Sequence, residues 1–254
     1  MENNQSYTMK NVILLVLSIL SFNIVTAQIV TDRPTQSASS STVPKGALQL
    51  ESRFMVTQDQ QGGHTYRQTL LPTNLFRYGF TNWMEIRVVN QYEIQKYKDK
   101  KLEGFSDMTL GIKVQLLKKE NINTEIAFLS QLIVPSGSNY LTADQIGTSN
   151  LISLSHSLSE TIGINYNLGY NYFGEGNGNF IYSFTFGFGV NSKVGFFVEP
   201  YGQLANMDDF EINIDSGFTY LLKDNLQLDL AFGSGINHRM NFFTFGVSWL
   251  FERK

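Results

Sequence analysis

The sequence predicts an all-β fold: a transmembrane antiparallel up-and-down β-barrel of about 12 strands, with short periplasmic turns and longer external loops. Three observations predict it. From Ala47 onward apolar and polar residues alternate with period two, so strand after strand carries one greasy face and one polar or small face. No amphipathic helical stretch is available to cover those greasy faces, which leaves lipid as the cover. Connections also alternate between short and long, as they do when turns and loops lie on opposite sides of a membrane.

The last strand shows the pattern best. Phe243, Phe245, Val247, Trp249 and Phe251 share one face, and Phe242, Thr244, Gly246, Ser248 and Leu250 the other. Thr244, Gly246, Trp249 and Phe251 also have the spacing of the terminal signal read by the barrel-assembly machinery of bacterial outer membranes. Pairing of this strand with the first would remove the exposed edge that lipid cannot satisfy.

Composition agrees. Charged residues are 16%, below the usual quarter, whereas 21 Gly and 13% aromatics suit strands, tight bends and interfacial girdles. A mean hydropathy of -0.13 argues against a polytopic helical protein. The net charge of -3 gives no basic footprint for nucleic acid. With no cysteine, disulfide frameworks, thiolate metal sites, a cysteine nucleophile and a lipoprotein anchor are excluded.

At the start, Lys10 precedes the apolar run Val12 to Val25, followed by the small-residue site Val25-Thr26-Ala27. The run is shorter than the roughly 20 residues of a spanning helix. Residues 1–27 are therefore expected to be a signal peptide, handled by the secretion machinery and removed to leave Gln28 first. Residues 28–46, rich in Ser and Thr, are expected to form an extended periplasmic segment. Thr31, Asp32, Arg33 and Pro34 would sit near the barrel mouth as a partial plug, and residues 47–254 would form the barrel in outer-membrane lipid.

The wall follows in order. Leu48, Leu50, Phe54 and Val56 oppose Gln49, Glu51 and Arg53, ahead of a polar loop from Gln58 to His64. A strand from Tyr66 to Phe80 contains Pro72, which marks a bulge or weakens the assignment. Thr81-Asn82 turns into Trp83 to Gln95, where Ile86 and Val88 oppose Glu85 and Arg87. Lys96 to Gly104 reads as a long charged loop, and Leu110, Ile112 and Val114 then oppose Asp107, Lys113 and Gln115. A turn at Lys118 to Asn121 leads into Ile122 to Val134, which includes Glu125, and Pro135 to Gly147 is the longest connection. Thr148 to Leu158 precedes the clearest alternation, Ile162 to Tyr172, where Tyr166, Leu168 and Tyr170 face away from Asn165, Asn167 and Asn171. Beyond the glycine-rich 174–178 loop come Phe180 to Val190, then Lys193 to Leu204 with Glu199, then Phe210 to Leu221 with Glu211 and Asp215. Leu226 to Leu230 carries Asp229 and leads to the last strand. Ten or fourteen strands remain compatible with the pattern, since the Pro72 and Ile122 regions alternate poorly.

Thr31-Asp32-Arg33-Pro34, Thr42-Val43-Pro44-Lys45-Gly46 before Leu48-Gln49-Leu50-Glu51, Arg77-Tyr78-Gly79-Phe80-Thr81-Asn82 ahead of Glu85 and Arg87, and Pro135-Ser136-Gly137 together resemble one outer-membrane family. It is the phenol-degradation meta-pathway transporter family. The matches span most of the mature chain. The resemblance implies a transport barrel and favours hydrophobic or aromatic small molecules as solutes.

Enzyme chemistry finds little footing. A barrel phospholipase would need Ser and His on one face of a strand, but Ser155 and Ser157 alternate with His156, and the next residue on the histidine's face is Leu158. His64 and His238 lie in loops without companions at metal-ligand spacing, Asp208-Asp209 reads as a solvated pair, and the 174–178 loop lacks the lysine and helix of a phosphate loop. No cofactor is expected. What remains is the inward charge set Arg53, Arg77, Glu85, Arg87, Asp107, Lys113, Glu125, Glu199, Glu211, Asp215 and Asp229, since a lysine or arginine at the lipid midplane would cost about 2–4 kcal/mol. These residues line either a channel for small solutes, passive or gated, or a closed barrel filled by its own charge network, and a structural or surface-binding barrel without a pore is the separate alternative. Twelve strands about 4.8 Å apart and tilted about 40° enclose a backbone radius of roughly 12 Å, too narrow for large solutes.

Overall fold

The computed structural model describes residues 29–119 and 122–252. Residues 1–28, with the expected signal peptide, and residues 120–121 of the expected turn lie outside them. The strands are β1 (Leu48–Gln61), β2 (His64–Gly79), β3 (Met84–Tyr97), β4 (Lys100–Phe105), β5 (Met108–Lys119), β6 (Ile122–Val134) and β7 (Gly147–Ser157). They continue as β8 (Ile162–Tyr172), β9 (Asn179–Gly189), β10 (Val194–Ala205), β11 (Asp209–Lys223), β12 (Leu226–Gly235) and β13 (Met240–Phe251).

Chain neighbours pair antiparallel except β4 and β5, which both pair with β3, and β13 returns to β1 in register from Leu48↔Phe251 to Asp59↔Met240. The sheet is thus closed. β4 pairs with the outer part of β3 and β5 with its inner part, so the two share one wall position and the barrel has twelve. Apart from β4, which pairs with β3 alone, every strand has a partner on both sides, which is how a sheet satisfies its backbone within lipid.

Alternation sorts the side chains as the sequence requires. Phe76, Ile112, Ile152, Leu168, Phe218 and Phe245 stand on the outside without protein cover, whereas Glu51, Arg77, Glu85, Lys113, Glu199 and Thr244 are fully buried. In a water-soluble protein this arrangement would be inverted. Near the short-turn end His156, Tyr166 and Phe184 stack on the outer surface, a girdle suited to the headgroup level. Both ring nitrogens of His156 are engaged, one by the Thr124 hydroxyl and the other by the Tyr166 hydroxyl, each at 2.8 Å. Ser155 points the other way, to the Ser40 hydroxyl.

Two segments differ from the sequence expectation, and a third takes one of the two forms it allowed. The Gln58 to His64 loop is the tip of a hairpin: β1 and β2 stay paired until Gly62 and Gly63, both at positive φ, reverse the chain. Lys96 to Gly104 is likewise a hairpin, β3 with β4, reversed at Lys98 with positive φ. Above the bilayer a strand needs no apolar face, so charged runs such as Lys101 and Glu103, themselves paired at 2.7 Å, extend the wall rather than leave it. At Pro72 the register of β2 shifts against both neighbours, between Arg53 and Met55 on β1 and between Leu70 and Thr73 on its own strand. The proline is accommodated by a bulge, as a residue without an N–H requires.

Candidate functional site

The site is the barrel interior, and the segment before β1 lies across it. Residues 29–46 enter beside Gly79, where Lys45 forms a parallel bridge to β2. A Cβ on Gly79 would come within 2.1 Å of the Pro44 carbonyl oxygen, so only glycine admits the incoming backbone. Gly79→Val should therefore loosen the segment by ~1–3 kcal/mol, the usual cost of overpacking. Proteinase K should trim residues 29–46 of the folded variant faster than those of the native barrel; equal protection would show that Gly79 does not set the entry.

From that entry the segment touches the wall all the way round. Glu51 of β1 accepts the N–H groups of Asp32 and Arg33, and Gln49 donates to the Val30 carbonyl. On β2, Arg77 donates to the carbonyls of Val30 and Ser41, and Thr73 accepts from Arg33. Glu85 of β3 accepts the Val43 N–H, Gln115 of β5 donates to Ser40, and Glu125 of β6 accepts the Ser41 hydroxyl. Across the barrel, Ser153 of β7 and Asn167 of β8 hold the Ala38 carbonyl. Ser183 and Thr185 of β9 meet the Ser37 hydroxyl, Glu199 of β10 accepts the N–H groups of Gln36 and Ser37, and Gln227 of β12 reaches Thr31. Ile29, Val43 and Ala47 pack with Leu221 of β11 and Leu250 of β13. A segment that reaches all twelve wall positions must span the lumen.

Its charged anchor is Asp32. That carboxylate lies 2.5 Å from Arg87 Nη1, 3.1 Å from Lys113 Nζ and 3.4 Å from Arg77 Nη1, cations carried by β3, β5 and β2. Arg77 also pairs with Glu51 and Glu85 at 2.9 Å, and Arg87 with Glu85 at 2.9 Å. Asp32, Glu51 and Glu85 thus balance Arg77, Arg87 and Lys113 within one buried cluster. Neutrality of this kind is what makes buried charge tolerable, because each unpaired ion would cost several kcal/mol.

The remaining charges of the expected lining divide. Glu125 is held by Ser41 at 2.6 Å and by Lys118 at 3.2 Å. Glu199 and Asp215 face each other across β10 and β11, both buried. Glu211, near the opposite end, accepts from Gln203 at 2.7 Å. Arg53 and Asp229 flank Gly246 in register, and a Cβ there would stand 2.7 Å from Asp229 Oδ1 and 3.2 Å from Arg53 Cβ. Gly246 therefore has a packing reason inside the barrel, independent of any reading by assembly machinery. Thr244 is buried beside it and donates to the Phe54 carbonyl, while Trp249 and Phe251 stack outside at 4.6 Å between ring centres.

Asp107 is not in the lining. It sits between β4 and β5 and accepts the N–H groups of Ser136, Gly137 and Ala143 and the Thr142 hydroxyl, fastening the 135–146 loop. Slight burial would raise its pKa, but those four bonds outweigh it and hold the carboxyl below the ordinary 3.8. Strand parity placed Asp107 inward with Lys113, but the break between β4 and β5 takes it out of the sheet.

Sequence reasoning missed the neutral partners: Ser37, Ser40, Ser153, Asn167, Ser183 and Thr185. The signal was present as a Ser/Thr-rich run, 35–42, facing inward Ser, Thr and Asn of β7 to β9. Only barrel closure shows which meets which.

A search of curated proteins found no significant sequence match. Among solved structures, an outer membrane channel from Pseudomonas putida F1 aligns with a TM-score of 0.73 at 11% identity, covering 85% of this chain and 100% of that one. The KdgM porin in complex with disordered oligogalacturonate aligns at 0.55 and 9% identity, covering 79% and 98%. At such identities the likeness establishes the barrel fold. The sequence itself goes further: over residues 31–251 it matches the model of the family described as "Putative MetA-pathway of phenol degradation", and the chain belongs to that family.

Proposed function

We propose that the protein is an outer-membrane channel for small solutes whose inner half is closed by its own N-terminal segment. The observation that carries this reading is the seating of Asp32 on Arg77, Arg87 and Lys113. A barrel that only needed filling could do so with apolar side chains from the wall. This one carries a cationic receptor for a separate, polar segment, joined to the wall mainly by hydrogen bonds and ion pairs that water can replace. Phenol-like aromatic solutes are the class to which the family description points. On the wall, Glu51, Glu85, Glu125, Glu199, Glu211, Asp215 and Asp229 outnumber Arg53, Arg77, Arg87 and Lys113. An opened lumen is therefore expected to prefer cations.

Purified mature protein in planar bilayers, compared with a form lacking residues 28–43, tests the proposal. The truncated form should give larger, cation-selective steps. Absence of conductance and of solute flux in both forms would discard transport and leave a structural barrel.

A further inference from the structure

The end of the barrel that carries the longer connections gathers its cations on one side. Arg67 of β2 and Lys96, Lys98, Lys100 and Lys101 of the β3–β4 hairpin are all exposed, and among the described residues Arg239 is the only other exposed Lys or Arg at that end. Asp144, Glu175, Asp208 and Asp209 stand on the remaining connections.

Register turns these charges into a row. Gln58↔Arg67, Arg67↔Lys96 and Lys96↔Lys101 are successive partners across β1, β2, β3 and β4. Partners of this kind share a face, and parity with the buried Glu85 and Glu93 of β3 puts the row on the outside. Like charges directly opposite one another cost stability in a sheet, and two such pairs stand here side by side.

The nearby acids do not cancel them. Glu103 pairs with Lys101 at 2.7 Å, each side chain about half exposed, and Asp99 lies at the hairpin tip. Asp59 and Glu93 have the opposite parity and face inward. Arg67 is held by the neutral Gln58 amide, whose oxygen accepts at 2.7 Å, and Lys98 lies over the Tyr97 ring at 5.2 Å. Lys96 has no ion pair among the described residues.

Height identifies what the row meets. The outward residues of β3 are Met84, Ile86, Val88, Asn90, Tyr92 and Ile94, a run that at about 3.3 Å per residue and a tilt of about 40° rises roughly 25 Å. That is the full height of the apolar band of such a barrel. Lys96 is the next outward residue, so the row lies where the outer-leaflet headgroups begin. Beneath it Tyr92 and Phe105 meet edge to face at 5.4 Å between ring centres.

We propose that this row is a binding site for a phosphorylated lipid headgroup of the outer leaflet. A phosphate between Arg67 and Lys96 gives two opposed like charges a shared counter-charge, the guanidinium supplying a fork of donors and the ammonium a point charge. The acyl chains lie along Ile94, Tyr92 and Phe105. The site rests on the outer-membrane placement of the barrel and not on conduction.

Native mass spectrometry of the folded mature protein in neutral detergent, at near-physiological ionic strength, tests it with lipid A as the probe. Diphosphoryl lipid A should be retained and its dephosphorylated form should not. Arg67→Gln/Lys96→Gln should lower the retained fraction about tenfold or more. Lys193→Gln/Lys223→Gln, at the periplasmic turns, should retain the lipid like the native protein, with heat-modifiability checking that each variant is folded. No retention by the native protein, an unchanged fraction in Arg67→Gln/Lys96→Gln, or an equal loss in the periplasmic pair would each overturn the site. Displacement of the lipid by millimolar inorganic phosphate would also overturn it, in favour of a site for the free anion. Retention by a barrel that never conducts in planar bilayers would support the site and reject the channel reading alone.

Discussion

Asp32→Ala in the mature chain is expected to raise the open probability of the channel by roughly a hundredfold or more, from ~3–5 kcal/mol for a broken buried ion pair and about 1.4 kcal/mol per tenfold. The substitution removes one carboxylate from a cluster that is otherwise balanced. Arg87 would keep Glu85, but Lys113 would be left with Glu85 at 3.7 Å, the carbonyls of Ser39 and Ser41 and the Ser39 hydroxyl. The segment would also lose the turn in which the Asp32 carboxylate accepts the N–H and hydroxyl of Ser39. All these losses fall on the seated state alone, since in the released state water solvates the same cations. Asp32→Asn, which keeps the shape and some hydrogen bonding, should have a smaller effect. Single-channel recording reads the result. If Asp32→Ala gates like the native protein, the carboxylate is not the anchor.

Arg77→Leu is expected to have the largest effect on stability, lowering that of the folded barrel by ~3–5 kcal/mol. Arg77 is fully buried and its guanidinium donates to Glu51, Glu85, Val30 and Ser41. Unlike Asp32, it ties wall to wall, joining β1, β2 and β3 as well as the segment. Its loss leaves the carboxylates of Glu51 and Glu85 without their principal counter-charge in a site closed to water. Lysine should rescue only part of the loss, because an ammonium cannot bridge several carboxylates with a planar fork. Urea titration of the heat-modifiable folded form should show a lowered midpoint for Arg77→Leu and an intermediate one for Arg77→Lys. An unchanged midpoint would mean that the cluster contributes nothing net.

The fold was legible because a membrane barrel writes its inside and outside on alternate residues. Phe243, Phe245 and Trp249 announce lipid, and Thr244 and Gly246 announce the lumen, before any long-range pairing is known. The lining was legible for the same reason, with parity alone placing Arg77, Glu85, Lys113 and Glu199 inward. Parity fails where the sheet is interrupted, which is why Asp107 belongs to a loop. Hairpins above the membrane were hidden because Lys100 to Glu103 have no reason to alternate once lipid is gone. The seating of Asp32 could not be read locally at all. Its three cations lie 45, 55 and 81 residues along the chain, and only the closed register of β2, β3 and β5 brings them to one point.

The central claim is that residues 29–46 close the solute path, and locking them in place tests it most directly. The hydroxyls of Ser37 and Ser183 stand 2.6 Å apart, and the native chain has no cysteine, so Ser37→Cys/Ser183→Cys offers a single engineered pair within disulfide reach. In planar bilayers the reduced protein should open and close like the native one. Under oxidant its openings should disappear, and reductant should restore them. Conductance that persists unchanged in the fully oxidised protein would contradict the account, because the solute path would then not pass the segment.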